Sequence, residues 1–248
     1  MRFLITGGSS EIGFSIGQEL YHNGHNIAFT YSSAKGLERI ESQSKAKRIE
    51  CELVAFNFCH IDESISNIES LFSKPIHGLI LNACTPSLRL KRFGDLDLTS
   101  QLKWMQDNLD GNLSLLHKIV KHQEAIGFGR NIFISSVTAN MGTSRYGMYA
   151  CLKSGLEGLF RNLAVDYGHK NIFFNSVRPG IIKTKRTEKQ CARLGFQRNI
   201  VSRIPSGRLG MPEQIAKGVL PMLMEESYIN GTQLEISGGL PLTRSDLT

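Results

Sequence analysis

Cysteine is scarce in this sequence, and none of it is paired by spacing. The five cysteines, at positions 51, 59, 84, 151 and 191, are odd in number and form no CxxC pair. That speaks against a disulfide framework and a thiolate metal site, and for a reducing, cytoplasmic setting. Long apolar runs are missing too. None approaches the ~20 residues that a membrane span needs, and no signal peptide precedes the first strand-like run, which begins almost at Met1. Acids are missing from one region. Between Arg178 and Arg208, Lys183, Lys185, Arg186, Lys189, Arg193, Arg198 and Arg203 face a single acid, Glu188. This local excess fits a solvated face, or a positive field for an anionic substrate or an acidic partner protein. The segment has one aromatic, Phe196, and so lacks the stacking platform of single-strand nucleic-acid binders. Nucleic acid is not an expected partner, and neither is a membrane.

What is present is ordinary for a globular protein: 248 residues, 41% hydrophobic and 21% charged, with net charge +7. A chain of this length buries a large core without staples. Strand-like runs recur at 2–6, 26–31, 50–56, 77–82, 130–136, 172–178 and 232–236. Helical spacing occupies about 12–23, 33–45, 61–73, 99–126, 147–169 and 212–224. Such alternation predicts an α/β fold with a mostly parallel sheet covered on both faces. No linker or repeat interrupts it, so residues 1–248 read as one domain. The long basic stretch at about 183–208 is a candidate substrate loop or lid.

The run RFLITGGSSEIG (2–13) has a strand breaking sharply into a helix. Gly7 and Gly8 permit the tight turn, Gly13 permits close helix–strand packing, and Ser9 and Ser10 can donate to phosphate or cap the helix. Glu11 stands awkwardly there, because a carboxylate repels a pyrophosphate. It must point outward, where an acid in a first helical turn is favoured, or pair with a nearby Arg or Lys. The second strand tests the dinucleotide. NAD sites carry an acid roughly 20 residues beyond the first glycines, whereas 27–36 offers Tyr31, Ser32, Ser33 and Lys35 with no acid. Hydroxyls and a cation suit a 2′-phosphate, so NADPH is the expected cofactor.

Tyr149 and Lys153, four apart, share one helix face, and Ser136 stands thirteen residues before Tyr149 at a strand end. Reduction of a ketone needs a hydride from one side and a proton from the other. A free phenol holds its proton too tightly for easy exchange at neutral pH, and an adjacent ammonium stabilises the phenolate. Tyr149 is then the general acid, Lys153 its partner, and Ser136 the donor that orients the carbonyl oxygen.

With these residues in place the chain resembles a short-chain dehydrogenase/reductase from Met1 to about Leu240. The resemblance rests on TGGSSEIG (6–13), LNAC (81–84), the NL at 108–109, ISS (134–136), YxxxK (149–153), RPG (178–180) and INGTQLEISGG (229–239). It implies a Rossmann fold with a seven-stranded, doubly wound sheet and a homotetramer built largely on the two long helices. It adds Asn108 as a fourth catalytic residue, holding a water chain to Lys153, and it gives Lys153 a second role on the nicotinamide ribose. It extends cofactor contacts from Gly7, Ser9 and Ser10 to Ile12, and from Tyr31–Ser33 to Asn57 and Phe58 at the adenine. Asn82 and Ala83, Pro179 and Gly180, and Ile182 and Thr184 follow, the last two flanking the nicotinamide carboxamide. No metal is implied. Three positions depart from the family pattern: Glu11 for the middle glycine, Cys84 for the last glycine of NNAG, and Asn57 for an acid.

Within the family, GRLGMPEQIA (207–216) and the 229–239 segment resemble 3-oxoacyl-[acyl-carrier-protein] reductases. That resemblance implies a 3-oxoacyl thioester substrate on an acidic carrier. One carrier-docking basic position is matched by Lys170, while the other falls at Gly127 and is lost. A small or cyclic ketone of a secondary pathway, and a non-catalytic dinucleotide-binding protein, are the alternatives.

Overall fold

In the computed structural model, residues 1–85, 91–191 and 201–242 are described. Seven strands form a single sheet: β1 (Arg2–Ile5), β2 (Asn26–Tyr31), β3 (Cys51–Ala55), β4 (Gly78–Leu81), β5 (Gly129–Ile134), β6 (Ile172–Pro179) and β7 (Gln233–Ile236). Their order is β3-β2-β1-β4-β5-β6-β7, and every pairing is parallel. The order reverses between β1 and β4, which opens a crevice beyond their C-terminal ends. The helices are α1 (Glu11–His22), α2 (Ala34–Lys47), α3 (Ile61–Glu69), α4 (Leu98–Ile126), α5 (Gly147–Tyr167), α6 (Lys185–Cys191) and α7 (Pro212–Leu223). Among the described residues no helix is long and apolar enough to cross a membrane.

Alternation along each strand divides the core into two layers. Leu4 and Phe133 face a cluster with Leu115 and Ile119 of α4 and Leu156 and Phe160 of α5. Phe3, Ile5, Ile132 and Ile134 face the opposite cluster, with Ile16 of α1 and Ile215 and Val219 of α7. Both faces of the strands are therefore apolar, which is why they read as short continuous runs.

The expected elements are all present, with shifts at their ends. The helix expected over 61–73 tightens after Glu69 into a 3-10 turn, Ser70–Ser73, as the chain approaches Pro75. The fifth strand stops at Ile134, so Ser136 lies just beyond it, still extended (φ −164°, ψ 151°). At the opposite end of the strands, near the start of β5, Arg130 is buried between the rings of Phe128 and Phe173, each 4.3 Å from its guanidinium carbon. It donates to the carbonyls of Gly129, Asn171, Met224 and Glu225 and to Asn171 Oδ1.

Candidate active site

The turn after β1 is held from three sides. Gly7 takes a left-handed conformation (φ +67°), and a Cβ there would lie 3.0 Å from Asn82 Nδ2. A Cβ at Gly13 would lie 2.6 Å from the Gly7 carbonyl, so α1 can approach the turn only with glycine at that position. Thr30 on β2 accepts the N–H of Gly7 through Oγ1 (3.1 Å) and that of Gly8 through its carbonyl (3.0 Å). Ser10 caps α1, accepting Gly13 N–H at 3.0 Å and donating to Gly7 O at 2.9 Å. Asn82 Nδ2 lies within hydrogen-bond distance of Thr6 O, Gly7 O and Ser10 Oγ. Thr6 Oγ1 accepts the N–H groups of Asn82 and Ala83, both at 2.9 Å. Asn82 and Thr6 thus lock the end of β4 against the turn. The N–H of Ile12, in the first turn of α1, has no carbonyl four residues back within the helix. With the glycine cradle and the positive end of α1 it fits a pyrophosphate, while the N–H of Glu11 bonds its own carboxylate.

Glu11 is not turned idly outward. Its Oε1 pairs with Arg39 Nη2 of α2 at 2.8 Å and accepts the N–H of Lys185, the first residue of α6, at 3.3 Å. Burial alone would raise its pKa. The Arg39 hydrogen bond, the backbone N–H groups of Glu11 and Lys185 and the Arg39 charge outweigh burial and hold it below the usual value. Of the two arrangements open to this acid, pairing with a cation is the one adopted. The β2–α2 loop abuts the turn, with Ser33 Oγ capping α2 on Gly36 N–H (3.2 Å). Tyr31 is half-buried, and Ser32 and Ser33 are exposed.

Ser136, Tyr149 and Lys153 come from the β5 end and the first turns of α5. Ser136 Oγ accepts from Thr138 N–H (3.2 Å) and Thr138 Oγ1 (2.9 Å), which leaves its own hydroxyl hydrogen to donate. Lys153 is 3% exposed. Its Nζ donates to Ile134 O at 2.8 Å and stands 5.6 Å from the Tyr149 ring centroid, so the cation sits beneath the phenol. Tyr146 packs edge-on against Tyr149, with centroids 6.1 Å apart.

Asn108 is fully buried in α4, and it neither caps nor ends that helix. Its Oδ1 accepts Thr85 N–H at 3.0 Å, and its Nδ2 donates to Thr85 Oγ1 at 2.6 Å and Trp104 O at 2.7 Å. The side chain therefore pins the segment after β4, and its backbone carbonyl accepts Asn112 Nδ2 at 2.7 Å. Cys84 is half-buried in the same segment. Burial raises its thiol pKa, and the charges of Lys153 and Arg186 only partly offset that.

Pro179 ends β6, and Gly180 N–H donates to Ile236 O of β7 at 3.0 Å. Ile182 is buried and bridges Gly210. Thr184 Oγ1 accepts Thr187 N–H at the start of α6. Asn57 Oδ1 accepts Cys59 N–H at 3.0 Å. The Phe58 ring is buried against Phe56, so Phe58 has only its backbone to offer a ligand.

The basic stretch is partly neutralised. Arg178 pairs with Glu157, and Lys183 Nζ lies 3.7 Å from Glu188. Arg193, Phe196 and Arg198, the middle of the expected lid, lie outside the described residues, as do the side chains of Lys189 and Cys191. Among the described residues, no group of three or more His, Cys, Asp or Glu is placed to hold a metal. Sequence reasoning missed Thr6, Arg39, Thr85 and Thr138. Each is a common residue type whose partner is fixed by the turn or fold around it, and no motif marks it.

A family model described as Enoyl-(Acyl carrier protein) reductase matches residues 7–241. The chain belongs to the short-chain dehydrogenase/reductases. Members of this family are oxidoreductases acting on alcohol and carbonyl groups, and so is this protein. It is 32% identical over 247 residues to the 3-oxoacyl-[acyl-carrier-protein] reductase FabG of Pseudomonas aeruginosa, covering 96% of both chains. It is 30% identical over 242 residues to the 3-oxoacyl-[acyl-carrier-protein] reductase MabA of Mycobacterium tuberculosis, covering 96% of this chain and 91% of that one. Among solved structures, levodione reductase superposes with TM-score 0.85 at 27% identity, covering 96% of both chains. A structure described as a putative β-ketoacyl-ACP reductase superposes with TM-score 0.84 at 25% identity, covering 98% of both.

Proposed function

We propose that this short-chain dehydrogenase/reductase is an NADPH-dependent ketoreductase that reduces a 3-oxoacyl thioester to the 3-hydroxyacyl product. One observation carries the chemistry: Ser136 has its acceptor sites filled by Thr138, while Lys153 sits buried beneath Tyr149. The turn of Gly7, Ser9, Ser10 and Ile12, with Asn82 and Ala83 behind it, would hold the cofactor pyrophosphate. Tyr31, Ser32, Ser33 and Arg39 would serve the adenosine end. Asn57 and the Phe58 backbone would serve the adenine, and Pro179, Gly180, Ile182 and Thr184 the nicotinamide.

When bound, NADPH supplies the hydride that adds to the substrate's carbonyl carbon. Ser136 donates a hydrogen bond to the carbonyl oxygen and fixes its direction. Tyr149 gives that oxygen its phenolic proton, so the C=O becomes CH–OH. The Lys153 ammonium stabilises the phenolate left behind. Asn108 keeps the Thr85 segment in place beside this group. By resemblance the assembly is a homotetramer and the whole chain one cytoplasmic domain.

The relatives named as 3-oxoacyl-[acyl-carrier-protein] reductases favour a thioester on an acidic carrier. A second reading, a free small or cyclic ketone, is favoured by the carrier-facing positions. Lys170 is engaged with Glu124 at 2.5 Å, and Gly127 has no side chain to offer.

Fluorescence titration with NADPH and NADH, followed by acetoacetyl thioesters, tests the assignment. NADPH binding with thioester-dependent oxidation is expected, and a small-ketone screen separates the second reading. Tyr149→Phe should keep NADPH binding and lose at least about 100-fold in kcat. Turnover surviving that change removes the proposed mechanism.

A further inference from the structure

Glu157, one turn beyond Lys153 on α5, is a carboxylate 2% exposed with no part in the chemistry above. It receives a two-pronged contact from Arg178 of β6, Nε to Oε1 at 2.9 Å and Nη2 to Oε2 at 2.7 Å. Arg178 Nη1 reaches Glu235 of β7 at 3.5 Å. Glu235 Oε1 in turn accepts Asn140 Nδ2 at 3.2 Å, and Asn140 follows Ser136 by four residues. The circuit closes, because Ser154 Oγ of α5 donates to Ala139 O at 3.0 Å. Four segments are joined in this way: the loop after Ser136, α5 with Tyr149 and Lys153, the end of β6 before Pro179, and β7.

We propose that Arg178 is a positioning residue. Through Glu157 it sets the rotation and height of α5, and through Glu235 and Asn140 it sets the loop of Ser136, so that phenol and serine hydroxyl converge on one oxygen. Planar two-pronged pairing suits this, because it fixes direction as well as distance. The inference rests on the ketoreductase reading above.

The test is steady-state kinetics on the full chain with NADPH and whichever ketone is turned over, alongside direct NADPH titration. Arg178→Met should lower kcat about tenfold or more while NADPH affinity stays near wild type, and it should move the pH dependence of kcat. Arg178→Lys keeps the charge without the fork and should recover part of the loss. If Arg178→Met does not fold, Glu235→Gln and Asn140→Ala act at half-exposed and exposed positions, and each should still lower kcat. Wild-type kcat in those two variants overturns the proposal. So does a loss in Arg178→Met matched by an equal loss of cofactor binding with an unchanged pH profile. Tyr149→Phe runs beside them. If it turns over, the ketoreductase mechanism fails, independently of the Arg178 circuit.

Discussion

Glu11 illustrates how one residue can be misread in isolation. In sequence it sits where an anion should bind. In the fold it is spent on Arg39, a residue on another helix, and spacing could not have named that partner. The pair makes a prediction about cofactor choice. Arg39 is held against the phosphate turn through Glu11, and in the proposed NADPH complex Glu11 would compete for it with the 2′-phosphate. Arg39→Ala should weaken NADPH binding about tenfold, the worth of one charged hydrogen bond, and leave NADH binding unchanged. Glu11→Gln should tighten NADPH binding. Titration of both variants with both cofactors decides this, and an equal loss for NADH would mean that Arg39 does not read the 2′-phosphate. Cys84 gives a plainer lesson. Burial raises its thiol pKa, and the charges of Lys153 and Arg186 pull it down by less, so the environment works against thiolate formation.

At the scale of elements, the strands and helices were legible because each carries its own signal. Short apolar runs bounded by glycine, asparagine or proline gave the strands, and apolar repeats gave the helices. Ser10, Ser33 and Asp97 each cap a helix with their side chains. Tyr149 and Lys153 were legible for the same reason, since helical spacing alone puts them on one face. What could not be read was how elements dock. The resemblance gives Asn108 a water chain to Lys153, and only the fold reveals Thr85 across from it. Arg130 began a strand in the sequence, with nothing to indicate that it joins the starts of β5 and β6 to the end of α7. Arg130→Met should remove charge-assisted bonds to several buried carbonyls and cost about 2–3 kcal/mol, read as a lowered urea midpoint. Little change would mean that the aromatic sandwich alone holds this end of the strands.

For the molecule as a whole, the end of the strands away from the site contributes to the response to acid. His77 Nδ1 accepts Arg2 N–H at 3.0 Å, and His122 Nε2 accepts Ile76 N–H at 3.1 Å, so both rings must present an unprotonated nitrogen. Burial first, then the amino terminus, Arg2 and His122, lower the His77 pKa against a smaller pull upward from Glu225. Burial and Arg2 lower that of His122, and burial, the amino terminus and His77 lower that of His25. Folded values below the ordinary 6.5 mean that the unfolded chain binds more protons at mildly acid pH. Stability is therefore complete above about 6.5 and declines as pH falls through that value toward the folded pKa values. Urea midpoints at pH 8 and pH 5.5 should differ in that direction, and His77→Gln with His122→Gln should flatten the difference. The sheet order has a kinetic consequence. Phe3 pairs with Gly78 across the whole β2–α3 excursion, so the crevice between β1 and β4 exists only after a long chain segment has closed on itself. Loop closure of that kind is entropically slow, and until it happens one edge of each of these two apolar central strands stands open, β1 having only β2 and β4 only β5 beside it. In a refolding experiment, cofactor binding should therefore be among the last properties to return, and concentration-dependent aggregation should compete with it before that point.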